Sequence, residues 1–541
     1  MRRRFLSATA LGLAVGLLLA IAPLAAQPPV SLSVSDQSLR VNGFLERGRQ
    51  LETQRRWGEA LAYYEDALRL YPEEQSLERR FELTRLHYDL ARRYADHSYS
   101  DSLAKVPFGK ALDLYSQVLL KMQTHYVETP SWKDLVQRGT ADLELALGEP
   151  LFAERNMPRQ DPAAVEAFNR ELREALSRRV VATPADARGN VAAAASLAEA
   201  RLAIPPTAVV FEYLCGATNS LDPYSAFLTA DQLNEVYAQI EGHFVGLGVE
   251  LKTNSDELLI VRVIRGSPAE RAGIRGGDRI LAIDGRPVDQ FSADQGANLL
   301  QGPEGSQVTL TVAAPGEPAR QTTIRRQRVE VPSVDQVQTL DAAQGIVYLK
   351  LTCFQKTTRR DLEDALWQLH REGMRSLIID LRGNPGGLLI SSVEVAERFL
   401  DHGVIVATRG RSPQEDVTYT AHQAGAWQVP LTLIIDQDSA SAAEIFAGAI
   451  HDHHRGTIVG VRSFGKGSVQ GIFPLEASDT GLRLTTAKFY SPGGRPYSRV
   501  GVEPDVVVHE AARPVNGSLP AKDDAMLRAA LDVARNALAA R

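Results

Sequence analysis

Two short runs constrain the fold more than anything else in the chain. Ser376-Leu377-Ile378-Ile379-Asp380-Leu381 and Leu431-Thr432-Leu433-Ile434-Ile435 are apolar without alternation, as expected of strands covered on both faces. The surrounding sequence alternates strand and helix patterns. Gly345 to Leu351 reads as a strand, Arg360 to Glu372 as a helix, a further helix follows Gly386-Gly387 as far as Leu400, and Val404 to Thr408 reads as a strand. This βαβ alternation predicts a buried, largely parallel sheet, with reactive groups on the loops at its strand ends.

At 541 residues the chain exceeds what one core organises, and its texture changes ahead of Val331. Val245-Gly246-Leu247-Gly248-Val249-Glu250-Leu251 reads as a glycine-punctuated strand and Leu258 to Ile264 as a second. Ser267-Pro268 opens a short helix through Ala272, Arg279 to Ile283 is a strand turning at Asp284-Gly285, Asp294 to Leu300 a helix, and Val308 to Val312 a strand. This order resembles a PDZ domain. Glycines around Gly246, Leu247, Gly248 and Val249 would leave backbone N–H groups free to hold a terminal carboxylate, and the adjacent strand edge would accept an extended tail. The plainer reading, a small β-rich spacer, does not explain the order of elements.

Further upstream, about Pro130 to Asn234 is helical and alanine-rich, broken at Pro205-Pro206, with a turn at Ser220–Ser225 and a cap at Thr229. Residues 41 to 74 read as one helical hairpin. In it Phe44, Gly48, Leu51, Trp57, Ala60, Tyr64, Ala67 and Pro72 fall where a tetratricopeptide repeat wants them. A looser second unit would put Ala111, Tyr115 and Val118 on one face; generic amphipathic helices are the other reading. Arg2-Arg3-Arg4, the apolar stretch Leu11 to Leu24 and the exit Ala25-Ala26-Gln27 make a secretory signal, cleaved after Ala26, in preference to a retained anchor. The protein is thus expected outside the cytoplasm, touching a membrane only if that signal is kept. A net charge of −6 gives no electrostatic case for nucleic acid. Two cysteines, Cys215 and Cys353, cannot build a disulfide scaffold and read as buried thiols.

The chemistry concentrates in two segments. Asp438-Ser439-Ala440-Ser441-Ala442-Ala443-Glu444 places a hydroxyl among small residues ahead of an apolar helix, and Ser463-Phe464-Gly465-Lys466-Gly467 places an amine between glycines. Serine is a poor nucleophile until a base takes its proton. Lysine becomes such a base only where burial depresses its titration from ~10.4. Gly386 and Gly387 can take the backbone conformations that aim an N–H at an oxyanion. Each feature alone has an ordinary explanation: Ser439 as a helix N-cap, Gly-Lys-Gly as a solvated turn.

Together with Leu221-Asp222-Pro223, Asp380-Leu381-Arg382-Gly383-Asn384-Pro385-Gly386-Gly387, Lys488-Phe489-Tyr490 and Gly501-Val502-Glu503-Pro504-Asp505, these motifs resemble the C-terminal processing peptidases, or tail-specific proteases, over about Leu221 to Val508. The resemblance implies a serine endopeptidase without metal or cofactor. Ser441 would be the nucleophile, Lys466 the base, Gln470 its orienting neighbour, and Gly387 (or Gly386) with Ala442 the oxyanion hole; Asp452 would have a supporting role. Unfolded proteins with exposed C-termini would be the substrates, and the helical hairpins would offer a surface to an adaptor. The third serine of the family's run is Ala443 here, and the basic residue often found before Gly302 is Gln301. The implied fold is a multidomain α/β protein. It comprises a leader (1–26), a tetratricopeptide-like helical region (27–129), a helical N-terminal part of the protease (130–242), a β-rich PDZ domain (243–330), an α/β protease core of the ClpP/crotonase-like type (331–512), and a C-terminal linker and helix (513–541).

Three rival readings carry less. A catalytically inactive secreted scaffold would not need both Ser441 and Lys466. Gly460 to Lys466 matches a phosphate loop up to the lysine, but Gly467 stands where a metal-binding Ser or Thr belongs. His451-Asp452-His453-His454 hints at a metal, yet neighbours on a helix point to different faces.

Overall fold

A computed structural model describes residues 34–158, 161–254, 257–288, 296, 299–422, 425–476, 479–508 and 524–540; the leader expected at 1–26 lies outside them. The chain forms two units, divided after Thr84.

In the first unit, α1 (Val34–Thr53) and α2 (Trp57–Leu70) pack as a hairpin. Ala60, Tyr64 and Ala67 are fully buried on one face of α2, as spacings of three and four residues require. Gly48 permits the approach: a Cβ there would lie 2.2 Å from the Tyr64 ring. The buried Glu52 accepts from Tyr64 Oη at 2.9 Å and Thr84 Oγ1 at 3.0 Å and pairs with Arg80.

α3 (Gln75–Ala95) leads into the second unit, where a helical layer follows: α4 (His97–Lys105), α5 (Phe108–His125), α6 (Trp132–Ala146), α7 (Pro150–Asn156), α8 (Pro162–Ser177), α9 (Pro184–Leu202) and α10 (Pro206–Asn219). The proline pair separates α9 from α10, as expected. Ala111, Tyr115 and Val118 are buried on one face of α5, inside a core with Phe152, Phe168, Phe211 and Tyr213. A buried arginine sits within this layer. Arg93 donates to Asp142 Oδ2 at 2.9 Å and to Glu212, whose Oε1 also accepts from Tyr94 Oη at 2.8 Å and Tyr99 Oη at 3.2 Å.

After β1 (Ala226–Leu228) and α11 (Ala230–Glu241) comes a β-rich module. β2 (His243–Gly246) pairs with β9 (Gln327–Glu330), while β3 (Val249–Asn254), β4 (Glu257–Val263), β5 (Arg279–Ile283), β7 (Gln307–Ala313) and β8 (Arg320–Arg325) form a sheet in that order. β6 (Arg286–Pro287) adds to β5, α12 (Pro268–Arg271) packs beside β8, and β3 forms an edge. The single strand expected over Val245–Leu251 is therefore two strands in two sheets. Gly248 has φ +82 and breaks the run, and Leu247 turns into the module's core. Of the helix expected at Asp294–Leu300, only Gly296, Leu299 and Leu300 are among the described residues, and they are helical.

Beyond it lie β10 (Val334–Asp341), β11 (Ile346–Leu351), α13 (Thr358–Arg371), β12 (Ser376–Asp380), α14 (Leu389–Ala396), β13 (Val404–Gly410), β14 (Thr418–Thr420), β15 (Leu431–Ile435), α15 (Ala442–Asp452), β16 (Thr457–Gly460), β17 (Ser468–Leu475), β18 (Thr480–Tyr490), β19 (Val506–Val507) and α16 (Ala525–Ala539). One sheet runs β10-β11-β12-β15-β16-β19, parallel from β11 onward with β10 antiparallel. Its two faces divide the apolar runs by alternation. Val347, Leu349, Leu377, Ile379, Leu433 and Ile435 meet α13, α14 and α15, whereas Ile346, Tyr348, Ile378, Ile434 and Val459 meet Met526, Leu527, Ala530 and Ala534 of α16. β13, expected in this sheet, lies elsewhere because β15 occupies the place beside β12. It joins an antiparallel sheet ordered β1-β18-β13-β14, with β17 also on β18. That second sheet brings the 221–228 segment and the strand after Lys466 to one place.

Candidate active site

Ser441 stands at the junction of the β15 loop and α15, with φ 56 and ψ −116. A non-glycine residue held there costs about 1–3 kcal/mol and persists only when its surroundings impose it. The imposing group is Glu444, one turn into α15 and fully buried. Its Oε2 accepts from the Ser441 N–H at 2.8 Å and the Lys466 N–H at 2.9 Å, and its Oε1 from Ser463 Oγ at 2.6 Å and the Gly465 N–H at 2.7 Å. Burial pushes this carboxyl up, and these four donors pull it back. The same donors answer the phosphate-loop reading, since two of the N–H groups a phosphate would use already hold Glu444.

The Lys466 side chain does not bond Ser441 Oγ. Its Nζ lies 4.7 Å from the centroid of the Tyr224 ring. Burial depresses the amine below its ordinary value and Arg483 adds to this, while Glu444 and Asp222 act the other way. Asp222 shapes the loop beneath. Its Oδ1 accepts from the N–H groups of Tyr224 at 2.7 Å and Ser225 at 2.9 Å and from Thr485 Oγ1 at 3.0 Å, and its Oδ2 from Ser225 Oγ at 2.7 Å.

The glycine turn closes the third side. Asn384 is fully buried; its Nδ2 donates to the Leu351 carbonyl at 2.8 Å, its Oδ1 accepts from the Gly386 N–H at 2.9 Å, and its carbonyl accepts from the Ala440 N–H at 2.9 Å. A Cβ on Gly386 would sit 2.7 Å from Ser441 Cβ and 2.9 Å from the Ala442 nitrogen, so the turn abuts the serine. Gly387 forms a bridge with Phe354 in which Phe354 N–H and Leu388 N–H are the donors. Among the described residues no backbone carbonyl accepts from the Gly387 or Ala442 N–H groups. Behind the turn, Asp436 Oδ1 accepts from the Gly383 N–H at 3.0 Å, and Asp380 binds Arg382, which reaches Asp524 Oδ1 at 3.0 Å. Ser439 is not a helix cap: its Oγ donates to the Leu381 carbonyl at 2.9 Å and joins the ends of β12 and β15.

The structure thus gathers Ser441, Ala442, Gly386, Gly387 and Lys466. Gln470, on β17, donates to Ser468 Oγ at 2.9 Å and lies 3.5 Å from Thr485 Oγ1. Asp452 ends α15 and holds a turn, accepting from Ser491 Oγ at 2.7 Å and the Gly493 N–H at 3.1 Å and pairing with Arg495. Of the histidines beside it, His451 contacts Asp452 and His453 bonds the Val404 carbonyl at 2.7 Å. In the β-rich module, Gly246 to Val249 form the turn from β2 to edge strand β3, held where the Ala269 N–H bonds the Leu247 carbonyl at 2.9 Å. Cys215 is buried and Cys353 half-buried, both free. Sequence reasoning assigned no role to Glu444 or Tyr224. The Ser-x-x-Glu spacing of a capping box was a signal for the former; nothing local signals the latter.

Residues 345–508 match the model of peptidase family S41 and residues 259–313 a PDZ domain. The carboxy-terminal-processing protease of Bartonella bacilliformis is 36% identical over 301 residues, covering 54% of this chain and 68% of that protein. The carboxyl-terminal-processing protease of Synechocystis sp. is 33% identical over 293 residues, covering 53% and 68%. Among solved structures, a photosystem II D1 C-terminal processing protease aligns at 25% identity and TM-score 0.39 over 74% of this chain and 98% of its own. The PDZ domain of a Vibrio cholerae carboxy-terminal protease in complex with peptide aligns at 27% and TM-score 0.16 over 16% and 99%. A Ser-x-x-Glu corner facing a glycine turn, inside a 164-residue family match and with relatives above 30% identity across two thirds of their length, has one consistent meaning: the chain belongs to peptidase family S41, the serine peptidases that include the carboxy-terminal-processing proteases.

Proposed function

We propose that this serine peptidase works outside the cytoplasm, takes hold of a protein's C-terminal tail through its PDZ domain, and cleaves upstream through a Ser441–Lys466 dyad. Ser441 Oγ attacks the scissile carbonyl carbon while its proton passes to the neutral Lys466 amine. The oxyanion faces the N–H groups of Gly387 and Ala442. Collapse expels the amine product, which takes the proton from Lys466, and water then hydrolyses the acyl-serine. The observation that carries this reading is the shared carboxylate: one oxygen of Glu444 binds the backbone of both proposed dyad members. The edge position of β3 beside the 246–249 turn supports tail capture by strand addition, and the leader pattern supports the location. The parallel sheet supports a ClpP/crotonase-like core, and the small-residue contact of α1 with α2 supports tetratricopeptide-like packing open to an adaptor.

The test is cleavage of an unfolded substrate with an apolar C-terminus by wild type, Ser441→Ala and Lys466→Ala. Wild type should cleave and both variants should fall to background, with a chelator changing nothing. Equal turnover by all three proteins would reject the dyad.

A further inference from the structure

The Lys466 amine lies over a ring rather than against the serine, and the backbone that carries the ring is held at both its N–H and its carbonyl. Tyr224 is tied by its own N–H to Asp222 Oδ1 at 2.7 Å, and its carbonyl accepts from Arg483 Nε at 2.8 Å. The neighbouring Ser225 Oγ accepts from the Thr485 N–H at 3.1 Å. Arg483 and Thr485 lie on β18, which pairs with β17 just beyond Lys466, Thr485 opposite Gln470. The segment that carries the ring is therefore anchored to the strand that pairs with the one following Lys466.

We propose that Tyr224 is a positioning residue that parks Lys466 as an ammonium and sets the pH at which it is released to act as a base, an inference that rests on the dyad reading above. The separation of 4.7 Å is within the ~6 Å over which a ring face attracts a cation. Only the charged form is attracted; a neutral amine gains nothing from the ring and is free to turn to Ser441. The other charges facing Lys466 do not replace this contact. Glu444 on α15 spends its oxygens on three N–H groups and a hydroxyl, and Asp222 on two N–H groups and two hydroxyls. Arg483 on β18 repels the ammonium. Among the described residues no carboxylate pairs with Lys466 Nζ. Burial and Arg483 favour the neutral amine; the ring opposes them.

The experiment is the pH profile of kcat/KM for the full chain on an unfolded reporter with an apolar C-terminus. Wild type, Tyr224→Phe, Tyr224→Leu, Tyr224→Trp and Lys466→Met are compared. Wild type should show an activity limb rising with pH. In Tyr224→Leu that limb should lie lower by about 0.4 to 1.5 pH units, the ring's attraction converted to titration. Tyr224→Phe should keep the wild-type position, and Tyr224→Trp, whose ring attracts a cation best, should lie above it. A ring that merely filled space would scale the whole profile without moving the limb. An unmoved limb in Tyr224→Leu, or a shift in Tyr224→Phe as large as in Tyr224→Leu, overturns the proposal. Should Tyr224→Leu fail to fold by circular dichroism, the Trp and Phe variants decide: a limb no higher in Trp than in Phe overturns it. Full activity in Lys466→Met would instead overturn the dyad itself, which separates the two failures.

Discussion

Replacing Glu444 by glutamine keeps its volume and removes half its accepting capacity. An amide has one acceptor oxygen and turns an N–H₂ group toward donors that need the other. Whichever way it faces, the Ser441 and Lys466 backbones or the Ser463 and Gly465 donors lose their partner. Ser441 is held at positive φ against an intrinsic cost, so the serine should relax out of line. We expect kcat to fall about a hundredfold, the size of an ångström-scale misplacement, with KM little changed; unaltered kcat would show that the corner is fixed by packing alone. At this scale the serine and the lysine were legible in sequence because each lies in its own short motif. Glu444 was legible in principle from its spacing to Ser441. The Tyr224–Lys466 contact was not, because it exists only once β1 and β17 have both found β18.

At the scale of elements, the turn from β2 to β3 tests tail recognition. Gly248 has φ +82, and a Cβ there would lie 2.2 Å from Ser267 Cβ, so Gly248→Val must reshape the turn that presents its N–H groups. The expected result is a KM for tailed substrates raised about tenfold or more with kcat largely kept, and little further effect of amidating the tail's terminal carboxylate; a variant as sensitive to amidation as wild type would contradict it. Sequence periodicity failed here for a stated reason. The apolar alternation of Val245, Leu247, Val249 and Leu251 runs unbroken through the turn, although Leu247 points into the module's core and the strands on either side join different sheets. The β13 strand shows the same limit: its pattern announces a strand, while its antiparallel partner β18 lies far along the chain.

Across the whole molecule, burial was the most legible feature. The apolar runs at Ser376 and Leu431 announced a sheet covered twice, and α13–α15 on one face with α16 on the other supply the cover. The buried ions of the helical layer were not legible, since Arg93, Asp142 and Glu212 come from three separate helices. Burial outweighs the pull of Arg93 and, with Glu212 adding to it, holds the Asp142 carboxyl up at about 7. Arg93→Met should therefore destabilise the second unit by roughly 3–5 kcal/mol by stranding its acids, read as a lower denaturant midpoint; an unchanged midpoint would show that these acids are accommodated without it. The most direct test of the central claim is intact-mass measurement of phosphonylation by a serine-directed reagent, in which the attacking oxygen displaces a leaving group from phosphorus, across pH. The account predicts one adduct on Ser441, forming faster as pH rises through a lysine ionisation depressed below its ordinary value, and slowed at least a hundredfold in Lys466→Met. An adduct at another residue, a rate independent of pH, or an equal rate in Lys466→Met would contradict it.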